Sequence, residues 1–150
     1  MWYAVEMARK AEQLGEVPVG ALIVSADQSL LAASSNRTIK ANDPTAHAEI
    51  VAMRLAGARI GNYRLAGATV YSTIEPCVMC AGALVNARIA RLVYGAADER
   101  FGAVRSIFRL CDNEKLNHRI EIVQGVLEEP CRRLMQDFFR DRRQKSETPA

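Results

Sequence analysis

The chain has 150 residues, 49% of them apolar and 25% charged, and a formal net charge of +3. That is the size of one globular domain, predicted over residues 1–145 with 146–150 as a disordered tail, and nothing approaches the roughly 18 apolar residues of a membrane span. The opening Met1-Trp2-Tyr3 lacks a basic or unbroken apolar leader, so the expectation is a soluble, cytoplasmic protein with no membrane partner.

The first predicted element is an amphipathic helix over 2–14, with Trp2, Val5, Ala8 and Leu14 at mostly three- and four-residue intervals and a stop at Gly15. It begins at Met1 itself, so its N-cap is missing or lies in preceding residues. Val19–Val24 and Leu30–Ser34 flank the turn-like Ala26-Asp27-Gln28-Ser29 and predict a β-hairpin. After Asn42-Asp43-Pro44, Thr45 suits the cap of a helix over 46–58. The β-branched run 68–74 reads as a buried central strand, and Pro76 opens a second helix to about Ala87. Strands follow at 89–94 and 120–123, and a last helix at 128–143 accepts Pro130 in its first turn. Five strands among helices predict an α/β fold, a five-stranded mixed sheet sandwiched between helices.

Four cysteines in a chain without a leader suit metal ligands, nucleophiles or buried small hydrophobes better than a disulfide framework. Cys77-Val78-Met79-Cys80 sets two thiols on one face of a helix start, where the helix dipole favours thiolate. Alone, that pair also fits a redox site, half a zinc ribbon or chance. His47-Ala48-Glu49, at another predicted helix start, adds a third ligand. A closed structural site needs four, and no second C-x-x-C or H-x-x-H supplies one, so three ligands leave room for a water whose pKa the metal lowers. Glu49, two residues from His47, falls on a different side of the helix and suits general acid–base work on that water. A histidine near a glutamate is commonplace by itself; the combination with Pro76-Cys-x-x-Cys matches the H-x-E and P-C-x-x-C signature of the zinc deaminases.

At these residues the sequence resembles the bacterial tRNA-specific adenosine deaminases. The likeness runs through Glu16–Ala21, Asn42–Ile50, Glu75–Ala83, Asn117-His118-Arg119 and Asp137-Phe138-Phe139-Arg140, nearly the whole chain. It implies a three-layer, cytidine deaminase-like fold, a homodimer, one Zn2+ per subunit on His47, Cys77 and Cys80, and proton transfer by Glu49. It implies conversion of adenosine to inosine at the wobble position, with the tRNA anticodon stem-loop as partner. On the substrate side it implies Asn36, Ala48, Asp98, Asn117, Arg119, Phe138 and Arg140. Asn36 also suits a turn, and Asp98 a solvent-facing loop. Ala97 departs from the basic residue often found at its place in the family.

Residues 131–145 carry six Lys or Arg against two Asp, a local +4. The expected helix there turns Cys131, Met135, Phe138 and Phe139 inward and leaves Arg132, Arg133, Arg140, Arg142 and Arg143 for solvent or phosphate. Cys111 and Cys131 read as buried hydrophobes; His118 reads as a surface residue by spacing, while the family resemblance implies a substrate-side role for the Asn117–Arg119 segment. Asp98 is expected to accept a hydrogen bond from a 2′-hydroxyl, which DNA lacks. Two rival functions use the same motifs: deamination of a free guanine, cytosine or nucleoside, and a zinc-stabilised RNA-binding module without catalysis.

Overall fold

The structure, a computed structural model, describes residues 1–147. β1 (Gly20–Val24) and β2 (Leu30–Ser35) form the expected hairpin, paired antiparallel. β3 (Thr69–Ile74) pairs antiparallel with β1, whereas β4 (Arg91–Ala96) and β5 (Glu121–Gln124) extend the sheet in parallel. The order β2-β1-β3-β4-β5 makes a mixed sheet and puts β3 at its centre, where a β-branched run buried on both faces belongs.

The period-two alternation of the strands divides the core between two helical layers. Leu22 packs with Ala4 and Met7 of α1 (Trp2–Gln13), while its neighbours Ala21 and Ile23 join Ala52, Met53 and Ala56 of α3 (Ala48–Ile60) and Leu84 of α4 (Val78–Asn86). The long α5 (Glu128–Glu147) lies beside α1, packed through Cys131 on Val5 and Ala96. The result is a three-layer α/β/α sandwich. Gly20 is required for it: a Cβ there would run into the backbone of Ala4 and Ala8, so only glycine lets α1 lie directly on β1.

Several boundaries differ from the sequence expectation. Thr45 does not cap α3; its hydroxyl and N–H both donate to Asp43 Oδ1, at 2.6 and 2.8 Å. This local turn captures the side chain, and the helix starts at Ala48 with His47 as its N-cap residue. A short α2 (Thr38–Ala41), with no apolar period to announce it, follows β2. On α5, Cys131 and Phe138 are buried as expected but Phe139 is 43% exposed. Successive helical residues point about 100° apart, so both rings cannot face inward; they meet edge to face at 5.3 Å instead. Helix α5 continues through residues 146 and 147 of the expected tail, and 148–150 lie outside the described residues.

Candidate active site

Two helix N-termini converge beyond the ends of the central strands. His47 is the N-cap residue of α3 and Cys77 that of α4, both with extended backbones, and Cys80 lies one turn into α4. The His47 ring makes no cap bond to its own helix and is free to point at the two thiols, while the Cys77 sulfur also takes part in bonds with Cys80 of its own helix. His47 Nδ1 is 3.6 Å from Cys77 Sγ and 3.6 Å from Cys80 Sγ. The three ligand atoms lie within 4.8 Å of one another, a nitrogen–sulfur donor set positioned to hold a metal ion. Four orphan N–H groups at each helix start add positive potential to the same spot.

The electrostatics follow from this crowding. The hydrogen bond from Cys80 holds the Cys77 thiol down to about 4, against the opposing effect of burial and with help from His47. Cys80, as the donor, is pushed upward, further so by burial and by the Glu49 carboxylate. His47 is raised above its ordinary value chiefly by the Cys77 sulfur. Cys77 is thus the more acidic of the two thiols, and holding a metal ion here would require Cys80 to give up its proton as well.

Glu49, in the first turn of α3, is 2% exposed and close enough to exchange a hydrogen bond with Cys80. Ser72 of β3, whose hydroxyl is shared with the Ile74 carbonyl at 2.8 Å, reaches its Oε1 at 3.3 Å. Desolvation dominates, raising Glu49 above the ordinary carboxylate range. A carboxyl group raised in this way holds a proton more readily than an ordinary glutamate, as a general acid must.

The other residues singled out in the sequence divide by location. Asn36, 5% exposed at the end of β2, donates its side-chain N–H to Glu16 at 3.3 Å and to Thr38 at 3.2 Å. Its neighbour Arg37 bonds the Ala46 carbonyl at 3.0 Å, so this strand end abuts the His47 segment. Ala48 is fully buried between His47 and Glu49. Asp98 is half-buried and accepts the N–H groups of Arg100 and Phe101. Asn117 accepts from Arg88 at 2.8 Å, and Arg119 donates to the Glu114 carbonyl at 3.4 Å. Arg88 follows the last turn of α4, so this segment gathers at the end of α4 opposite to Cys77. His118 is half-buried rather than superficial, bonded to the Ile89 carbonyl at 2.7 Å. Phe138 and Arg140 belong to α5, in the layer across the sheet from α3 and α4.

The family model described as MafB19-like deaminase matches residues 1–143. A tRNA-specific adenosine deaminase of Haemophilus influenzae is 48% identical over 145 residues, covering 97% of this chain and 84% of that protein. The chain belongs to the tRNA-specific adenosine deaminase family. Like the enzyme-bearing fold it was expected to have, the sandwich of this deaminase superimposes on a structure from studies of A-to-I editing by tRNA:A34 deaminases, with TM-score 0.86 and 43% identity over 89% of this chain and 96% of that one. The likeness extends to a guanine deaminase of Bacillus subtilis, less closely: TM-score 0.62 and 30% identity over 98% of this chain and 93% of that one. That ranking disfavours the free-base reading, and relatives that are enzymes disfavour the non-catalytic one.

Sequence reasoning missed two further buried glutamates that shape the deaminase site. Glu16, 1% exposed, accepts the N–H groups of Ile39 and Lys40 together with Asn36 and Thr38, and so pins the segment after β2. Glu75, also 1% exposed, accepts four N–H groups from Asp98, Val104, Arg105 and Ser106 and the Ser106 hydroxyl, pinning the loop after β4. The available signal was an acidic residue directly behind a buried strand and in front of Pro76.

Proposed function

We propose that this protein is a zinc enzyme that converts adenosine to inosine at the first anticodon position of a tRNA. The observation that carries the reading is a buried, under-solvated carboxyl, Glu49, against a three-donor cluster of His47, Cys77 and Cys80. The donor set fits zinc in spacing as well as in kind. Ligands bound at about 2.3 Å for sulfur and 2.0–2.1 Å for nitrogen subtend about 3.6 Å at a tetrahedral angle, and both sulfur-to-nitrogen separations are 3.6 Å. Zinc, when bound, supplies Lewis acidity that brings the pKa of a water near 7.

The chain's own residues do the rest. As water adds to C6 of adenine, Glu49 takes its proton and delivers it to N1. Glu49 then carries a proton to the exocyclic amine, which leaves as ammonia. Ser72 supports the carboxyl from behind, and burial favours the protonated form of Glu49. Asn36 has its amide nitrogen engaged with Glu16 and Thr38, so its oxygen is the atom offered to the base. Ala48, with no side chain beyond Cβ, leaves space beside it.

The anticodon is single-stranded, so its adenosine enters the pocket at less cost than flipping a paired base. Asp98 retains acceptor capacity beyond its two loop N–H partners for a ribose 2′-hydroxyl. The segment with Asn117 and Arg119, and the α5 residues Phe138 and Arg140, contact RNA further out. Two copies associate as a homodimer through the apolar groove between α3 and α4, lined by Ile50, Met53, Gly57, Ala83 and Ala87. A tRNA substrate places the enzyme in the cytoplasm, and among the described residues no helix is long and apolar enough to cross a membrane.

The test is to incubate the zinc-loaded protein with an anticodon stem-loop carrying A at the wobble position, and separately with adenosine, adenine, guanine and cytosine. Inosine at the wobble position alone is expected. Faster turnover of a free base would overturn the substrate assignment.

A further inference from the structure

The loop from Asp98 to Ser106 is wound around a charge. Its backbone donates four N–H groups to Glu75, at 2.7–3.0 Å, and Ser106 adds its hydroxyl. Within the loop, Gly102 N–H closes on the Asp98 carbonyl at 2.8 Å, and Asp98 caps Arg100 and Phe101. Gly102 is required where it stands, because a Cβ would strike the Glu75 carboxylate and the Asp98 carbonyl. The wrapped loop is then fastened to the metal ligand. Gly102 forms an antiparallel bridge with Cys77, and Ala103 donates to the Pro76 carbonyl at 2.9 Å. Glu75 therefore holds the loop to the two residues that follow it in the chain.

One aromatic side chain of this loop stands in water. Phe101, adjacent to the residue bridged to Cys77, is 68% exposed. An aromatic face left in water on a rigid support beside a nucleobase site is the arrangement that binds unstacked bases, since every base has a π-face.

We propose that Glu75 is a positioning residue that acts through Phe101: it sets the ring at the rim of the His47–Cys77–Cys80 cluster, where the ring stacks on a base flanking the target adenosine. This rests on the RNA reading above. Glu75 touches no substrate in this scheme; Phe101 does.

The test uses zinc-loaded protein and single-turnover and steady-state kinetics on the anticodon stem-loop, with metal content and oligomeric state measured for each variant. Phe101→Leu keeps apolar bulk but loses the stacking face, and its KM is expected to rise roughly 5- to 150-fold, the span of one base–aromatic contact. Phe101→Tyr should restore KM to near the wild-type value, and metal content should stay full in both. Glu75→Gln turns an amide NH2 towards backbone donors and should raise KM in the wild-type background. In the Phe101→Leu background it should raise KM little further, because the ring it positions is gone. Ser106→Ala, which removes a single donor, enters the same cycle where Glu75→Gln does not fold. Equal effects of Glu75→Gln in both backgrounds, loss of zinc from that variant, or an unchanged KM in Phe101→Leu would each overturn the proposal. So would a Phe101→Leu protein that dissociates into monomers with KM intact, since the ring would then serve a second copy of the chain. Wild-type protein that forms no inosine in the stem-loop would bring down the functional reading and this inference together; inosine formed with KM indifferent to Phe101 would bring down this inference alone.

Discussion

Replacing Glu49 by glutamine separates the proton carrier from the metal ligands at almost constant shape. Glutamine can still accept from Ser72, which lies 3.3 Å from Oε1, and His47, Cys77 and Cys80 remain as a complete donor group without it. Full metal content is therefore expected. Proton transfer by a positioned side chain is worth about 10² to 10⁴ in rate, or about 2.7 to 5.4 kcal/mol at 1.36 kcal/mol per decade, and the single-turnover rate should fall by that much with substrate affinity retained. The substitution has an opposite effect on folding. Glu49 is raised by burial, so in the folded metal-free protein its stability contribution is fully present below the ordinary value of 4.5 and is lost as pH rises through the folded pKa. At neutral pH the neutral amide escapes that penalty, and metal-free Glu49→Gln should melt higher than metal-free wild type. The assays are elemental analysis, inosine formation by single turnover, and thermal melting after chelation. Zinc loss in the variant would make Glu49 a ligand and refute the reasoning, as would turnover within a few-fold of wild type.

Cys80→Ala should lose both metal and activity, because two remaining ligands cannot hold the ion; a full complement of zinc in that variant, by elemental analysis, would refute the donor assignment. Glu16→Gln leaves buried N–H donors facing an amide NH2 and should cost about 1 to 3 kcal/mol at neutral pH. Burial pushes Glu16 up, but the N–H groups of Lys40 and Ile39 and the side chains of Thr38 and Asn36 bring it below 4.5, so its contribution is present above pH 4.5 and lost as pH falls through the lower folded value. The melting difference between wild type and Glu16→Gln should accordingly shrink in acid, and a difference that grows there contradicts the sign. On α5, Arg140 pairs among the described residues with the exposed Asp137 and Asp141, whereas Arg142 lies over the Phe138 ring at 4.9 Å and donates to the Gly15 carbonyl at 2.9 Å. Arg140→Ala should lower the log–log salt slope of tRNA binding by about 0.7 to 0.9 with melting unchanged, and Arg142→Ala should lower the melting temperature; the reverse pattern would exchange their roles.

The parts of the molecule legible in the sequence are those governed by local rules. The two extended runs flanking a turn-like tetrapeptide, and the β-branched run of β3, specify the hairpin and the central strand because turn chemistry and burial are local properties. The C-x-x-C and H-x-E spacings specify the cluster because both sit at helix starts, whose geometry is nearly invariant. What sequence did not reveal depends on competition or on distance. Thr45 has a plausible cap to make and a better local partner in Asp43. Phe138 and Phe139 compete for one inward direction, and only packing decides between them. The arginines of α5 look like a free basic stripe, yet Arg132 and Arg133 pair with Glu128 and Glu129 one turn back. Glu75 bonds residues 23 to 31 positions away, a relation that no period or spacing encodes.

Three glutamates lie within the core of this protein at 1–2% exposure, and the number of donors each receives sorts them by role. Burying a carboxylate is costly unless hydrogen bonds replace its water. Glu16 and Glu75 are each surrounded by backbone N–H groups, so both stay ionised below the ordinary range and act as fixed anchors for a loop on either side of the cluster. Glu49 lies in the same interior with Ser72 as its oxygen donor and the thiol of Cys80 nearby, and it is raised instead. A fold able to satisfy two buried carboxylates so fully leaves the third short of donors beside the His47, Cys77 and Cys80 cluster, which is what the proposed proton carrier requires. The anchors need a fixed charge to hold backbone in place; a proton carrier needs the opposite, and the same chemistry of N–H donors provides both by being present or withheld.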